Sequence, residues 1–280
     1  MCIDEVSLFF EENKKRILND NNFKDLINYI KETKEFIYRL DFLNFNRSFY
    51  IDARYKILSI DGILSSTQMT LQSIQLCCEN SSLADAHTLI RKYRDDLYFY
   101  LYILYVNSNM DILNNNEITR HEKNIVNWNN NNLKDLNITE ILKYIGESSI
   151  AKEAVNKYKL KKSFSKISND LNDFVHSNGR LYYNRTYQYY YNVKSIKENV
   201  DKVKYEINYI TSTFLFLLIL IRPDYISSTD YVDYLECGLE PIEGSQYWVA
   251  GFVNDYINKN MLLICDEWKD YLREQVDMNI

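Results

Sequence analysis

Residues 82–107 read SLADAHTLIRKYRDDLYFYLYILYVN, and the folding of this stretch decides the architecture. His87, Arg91, Arg94, Asp95 and Tyr98 recur at i, i+4, i+7, i+8 and i+11, which places them on one face of a helix. Leu89, Ile90, Leu97 and Leu101 fall on other faces and have the character of core residues. From Leu97 to Val106 the stretch is uncharged and apolar all round. A bilayer demands roughly 20 such residues, and Asp95 and Asp96 abut the run. The spacing therefore predicts the buried centre of a large helical core. Ser82 followed by Asp85 predicts a capping box at the helix start.

A second apolar run, Thr211–Ile221, is bounded by Glu206 and Arg222 and is also too short to span. It predicts a long helix over 193–221, stopped by Pro223. Between and around these two runs the chain is poor in turn formers, with 6 Gly and 2 Pro in 280 residues. Sheet-rich folds need many tight turns, so the scarcity favours long helices. The predicted fold is all-α: a multi-helix bundle of long antiparallel helices with short connecting helices, one domain over residues 1–280. Helices are expected over 5–18, after the Asn-Asp-Asn-Asn stretch 19–22, from Ser65-Ser66 to Cys78, over 151–176 and over 250–275. Helical periodicity also resumes through Tyr55 and Leu58. Residues 107–137, rich in asparagine, look like an insert. Residues 238–280 read as a docking segment, with Pro241 and Gly244 shaping a turn and Tyr247, Trp248, Val249 and Phe252 anchoring it.

Composition narrows the function. The net charge of −6 disfavours a general nucleic-acid binder or an anionic-membrane binder, since both draw affinity from basic surface. Cys2, Cys77, Cys78, Cys237 and Cys265 are odd in number and irregularly spaced, as expected of thiols in a reducing compartment. Three scattered histidines and the absence of Cys-x-x-Cys argue against a metal site, and no cofactor motif is present. The N-terminus carries acids where a signal peptide carries bases, so a cytoplasmic protein with no membrane role is expected.

Two polar constellations are candidates for chemistry. On the helix after Ser82, Arg91 and Arg94 offer planar donor forks for a phosphate, and His87 beside Asp95 offers a proton carrier. The competing reading is an interhelical ion-pair network. The second is SKISNDLNDFVHSNGR, where His176 ends a helix between Asn172 and Asn178, with Arg180 beyond. His176 is the best single candidate for a general acid or base. Tyr183 belongs to a tyrosine run over 182–191 suited to stacking or to an interface.

The Arg-rich turn of ADAHTLIRKYRDDLYFY followed by a later helix ending LNDFVHSNG resembles the HEPN-type helical domains of bacterial defence and toxin–antitoxin proteins, over residues 82–222 at most. That resemblance implies two facing helices, a homodimer or a protein partner encoded nearby, and RNA as a second class of partner. In many HEPN domains an arginine, a polar residue and then a histidine, with four to six residues between the arginine and the histidine, cut RNA without metal. Here Leu171 and Asp170 stand where that arginine belongs, and Arg120 and His121 are adjacent. Only His176 carries over, with Arg91 or Arg94 as a substitute from another helix. A noncatalytic module that binds protein or RNA in bacterial defence or stress is thus expected ahead of a metal-independent endoribonuclease.

Overall fold

The computed structural model describes residues 3–45, 49–52, 56–60, 62–80, 82–109, 118–132, 136–176 and 193–280. Helices α1 (Ile3–Asn19), α2 (Asn21–Leu43), α3 (Ile63–Glu79) and α4 (Leu83–Ser108) follow in turn, with strands β1 (Phe49–Asp52) and β2 (Lys56–Ser59) between α2 and α3. Helices α5 (Arg120–Asn129), α6 (Ile138–Gly146), α7 (Lys152–Lys157) and α8 (Leu160–Val175) lead to the long α9 (Val193–Ile221). Short helices α10 (Asp230–Glu236), α11 (Gly251–Lys259) and α12 (Glu267–Gln275) complete the chain. The fold is all-α, and among the described residues the only paired strands are the antiparallel hairpin β1–β2, in the register Phe49↔Ser59 to Asp52↔Lys56.

The two apolar runs form the centre. Along α4, Tyr100, Leu101, Tyr102, Ile103 and Leu104 are all buried, and along α9 every residue from Thr211 to Ile221 is buried. Each helix needs neighbours on all sides because it is apolar on all sides. Lys197–Ile221 is long and apolar enough to cross a membrane, and 89% of its most apolar window is buried inside the fold. Buried residues from Ile17 to Ile280 form one continuous cluster around this pair.

Packing directions qualify the expected antiparallel bundle. Lys34 reaches Gln72 and Asp41 reaches Ser65, so α2 and α3 are antiparallel. Arg94 meets Ser168 and Tyr98 meets Phe164, so α4 and α8 are antiparallel too. By contrast His87 meets Glu206 and Tyr100 meets Phe214, so α4 and α9 run in the same direction. The long excursion through α5–α8 carries the chain back to the starting end and permits this parallel return.

Midway along α9 three hydroxyl residues, Thr211, Ser212 and Thr213, enter the dry core. Thr211 is bonded to Tyr93 at 2.6 Å and donates to the Ile207 carbonyl at 2.8 Å; Ser212 donates to Asn208 at 2.9 Å. Buried hydroxyls need such partners. Part of the tyrosine excess is thus structural: Tyr93, Tyr98, Tyr100, Tyr102 and Tyr225 are among the largest fully buried side chains. Burial pushes the Tyr93 and Tyr98 phenols up from their ordinary value.

Four expectations are corrected. The helix over 151–176 breaks into α7 and α8 at Lys159, whose φ of 51° is left-handed. The break seats Tyr158 against Phe216, Trp268 and Tyr271, and that aromatic packing offsets backbone strain of about 1–2 kcal/mol. The helix over 250–275 breaks after α11 at Asn260, whose carbonyl accepts from the Asn208 side chain at 3.1 Å while Met261 is buried beyond it. The periodicity through Tyr55 and Leu58 belongs partly to β2; Tyr55 itself lies outside the described residues. Finally, the Ser82 hydroxyl bonds the Asp85 carboxylate and makes no side-chain cap to the backbone. A true capping box, Thr119 with Glu122, opens α5 inside the asparagine-rich segment.

Candidate functional site

Helix α4 packs its polar face against α8 on one side and α9 on the other. His87 is fully buried there, with Nδ1 2.6 Å from Glu206 Oε2 and its ring stacked 4.2 Å from Phe174. A carboxylate has only lone pairs to offer, so the imidazole Nδ1–H donates. Glu206, itself 1% exposed, also lies 3.7 Å from Lys202, which pairs with Asp170 at 3.2 Å and sits over Phe174. A buried carboxylate requires this degree of pairing.

Two turns along α4, Arg94 is 1% exposed. Its Nε donates to Asp95 Oδ1 at 2.8 Å, one terminal nitrogen stands in ion-pair contact with the same oxygen at 2.6 Å, and the other terminal nitrogen donates to Ser168 at 2.8 Å. The guanidinium lies 5.7 Å from the Phe164 ring. Burial raises the Asp95 carboxyl above its usual range, and the Arg94 and Arg91 charges pull it only part of the way back. Arg91 is half-buried and 3.8 Å from Asp95.

The structure therefore brings His87, Arg94 and Asp95 to one face, as the spacing predicts, but it closes His87 onto Glu206 of α9 and Arg94 onto its neighbour Asp95 and Ser168 of α8. His176 stands apart as the exposed C-cap of α8, its backbone N–H bonded to the Asn172 carbonyl at 3.0 Å. Ser168, which holds Arg94, precedes His176 by eight residues, about 12 Å along a helix. His176 thus lies about two turns of α8 beyond the point where Arg94 is held. Asn172 is half-buried, and its Oδ1 accepts no hydrogen bond from a described residue. Asn178, Arg180 and Tyr183, with the rest of the tyrosine run over 182–191, lie outside the described residues. Among the described residues no group of three His, Cys, Asp or Glu is placed to hold a metal ion, and Cys77, Cys78, Cys237 and Cys265 are free thiols.

The sequence reading missed the partners. Glu206 and Lys202 are an i,i+4 pair at the wet end of the α9 apolar run, the same junction of charge and dry helix that made α4 notable. His121, set aside in the sequence because Arg120 adjoins it, is also part of a polar aromatic cluster. That ring stacks 3.6 Å from Tyr144, its Nδ1 lies 3.0 Å from the Tyr102 hydroxyl, and Arg120 beside it pairs with Glu140 at 3.1 Å. Burial, aided by the Arg120 charge, lowers the His121 pKa from its ordinary value. As pH falls below about 6.5, the unfolded chain then takes up a proton that the folded chain resists, so this residue lowers stability in acid. In urea melts at about pH 7.5 and about pH 5.5, the stability lost between them should be smaller in His121→Gln than in the wild type.

No family model matches the chain, and neither a curated protein nor a solved structure does.

Proposed function

We propose that this chain is a noncatalytic helical binding module. The observation that carries this reading is the state of the polar cluster: His87 and Arg94 are buried and spent on Glu206, Asp95 and Ser168. Side chains committed to holding three helices together have no face for a substrate, and buried ion pairs are commonly structural. The acidic balance, concentrated between Pro223 and Asn258, favours a protein partner over RNA. A role in bacterial defence or stress rests on the HEPN-type resemblance alone, and a cytoplasmic location on the acidic N-terminus and unpatterned cysteines.

The test is incubation of the purified chain with structured and single-stranded RNA, with and without a chelator. The expected result is intact RNA for the wild type and for His176→Ala alike. Cleavage that survives chelation and disappears in His176→Ala would instead establish the metal-independent ribonuclease, with the exposed His176 as acid or base.

A further inference from the structure

Between Pro223 and Asn258 the chain contains no Lys, Arg or His, yet it carries Asp224, Asp230, Asp233, Glu236, Glu240, Glu243 and Asp255. The same segment exposes large apolar side chains: Leu235 at 52%, Leu239 at 58%, and Val232, Ile242 and Tyr247 at over two-fifths. Helix α10 buries none of its residues. Of the four residues expected to anchor the 238–280 segment, Val249 is buried, Trp248 is half-buried and Phe252 is half-buried with its ring 5.9 Å from Phe36, whereas Tyr247 is exposed.

This segment is nevertheless firmly built. It leaves and re-enters the fold at one place, where Ser227 bridges Val249, Ser228 N–H donates to the Trp248 carbonyl at 2.8 Å and Ala250 N–H donates to the Ile226 carbonyl at 2.9 Å. Helix α10 ends in a Schellman motif: Leu239 N–H bonds the Tyr234 carbonyl, Gly238 N–H bonds the Leu235 carbonyl, and Gly238 has φ 68°. The result is an acidic, apolar-tipped hook that needs little further ordering to bind.

The opposite chemistry occurs elsewhere on the chain. A groove of about 580 Å³ lies where α1, α2 and the end of α3 meet. Leu18, Phe23 and Ile27 supply its apolar lining and Lys14, Lys24 and Lys31 its cations, against the single acid Glu79. Lys14 reaches across it to Asn80 at 3.0 Å. Its size falls within the roughly 300–1,000 Å³ of clefts that accept a ligand or a few side chains.

Hook and groove sit at opposite ends of α2. The root of the hook is fixed by Asn44 at the α2 C-cap, which donates to the Tyr225 carbonyl at 3.0 Å. The near edge of the groove is Lys31, thirteen residues earlier and about 20 Å away along the helix. A hook therefore meets a groove most readily on another molecule. We infer that the acidic apolar hook of one copy docks into the lysine-rimmed groove of a second copy of this chain. Two copies close a dimer with two such contacts, or successive copies propagate head to tail. The inference rests on the binding-module reading and names its partner.

The test is sedimentation velocity of the full chain across a concentration series at about 50 mM and about 500 mM salt, since exposed charge pairs are screened by salt. Assembly at low salt that weakens at high salt is expected. Glu236→Lys with Glu240→Lys, and separately Lys24→Glu with Lys31→Glu, should each weaken assembly about tenfold or more. Mixing the two variants should restore it, because the reversed hook then faces a reversed groove. All four positions are exposed, and circular dichroism verifies that each variant folds. A wild type that stays monomeric at low salt, or reversals without effect, overturns the contact and leaves the noncatalytic reading standing. That reading falls instead on RNA cleavage dependent on His176, which is assayed on the same preparations.

Discussion

Replacing His87 with alanine is expected to destabilise the fold by about 3–5 kcal/mol, the range for emptying a large buried position and stripping a buried carboxylate of its nearest donor. The loss has two parts. The imidazole fills a position between α4, α8 and α9, stacked on Phe174, so its removal leaves a cavity. It also takes the closest hydrogen-bond donor from Glu206, a carboxylate 1% exposed that then has Lys202 at 3.7 Å. Chemical denaturation gives the number, with His176→Ala as the control. His176 is exposed at a helix end, and its replacement should stay within about 0.5 kcal/mol. The paired replacement His87→Phe with Glu206→Met should recover most of the lost stability, because hydrophobic groups of similar volume substitute well for a buried ion pair. Were His87→Ala instead close to neutral, the junction would be looser than its geometry implies and open to a ligand.

What the sequence revealed and what it hid follow one physical division. The central helices were legible because an uncharged run of ten or so residues with no Gly or Pro has few ways to fold, and α4 and α9 begin and end within a residue or two of the bounds read from Leu97–Val106 and Thr211–Ile221 with their flanks. The breaks at Lys159 and Asn260 were not legible, since neither residue is a helix breaker; the first is compensated by Tyr158 against Trp268 and the second by Asn208, and those contacts are tertiary. The hairpin Phe49–Asp52 with Lys56–Ser59 is too short for its alternation to outweigh a helical period. The site divides in the same way. That His87, Arg94 and Asp95 share a face is a matter of local spacing. That His87 ends against Glu206, 119 residues away, and Arg94 against Ser168, 74 away, is not encoded in any window of the chain. A residue pattern alone therefore described an open phosphate site and a sealed ion-pair network equally well.

Arg94→Ala is expected to cost a similar amount, about 3–5 kcal/mol, from the cavity a fully buried side chain leaves and its lost bond to Ser168, and the sign of the change bears directly on function. Arg94 hydrogen-bonds Asp95 through Nε and Ser168 through one terminal nitrogen, stands in ion-pair contact with Asp95 through the other, and lies 5.7 Å from the Phe164 ring centre. Lysine is a point charge on a flexible stem and cannot reproduce a fork that joins α4 to α8, so Arg94→Lys should recover only part of the loss. Arg91 supplies the contrast on the same face: half-buried, 3.8 Å from Asp95 and one helical turn away from it, its replacement by alanine should cost under about 1 kcal/mol. Residues kept for chemistry tend to be held at the expense of stability, and replacing them often stabilises the fold. A structural arginine behaves in the opposite sense. If thermal and urea unfolding show Arg94→Ala or Arg94→Met more stable than the wild type, the network was being maintained against its own energetic cost, and the noncatalytic reading would have to yield to one in which Arg94 is released from Asp95 to meet an anion. Loss of stability in Arg94→Ala, with little change in Arg91→Ala, leaves Arg94 as the fastening between α4 and α8 and directs the search for a partner away from this junction, toward the outer surface of the bundle.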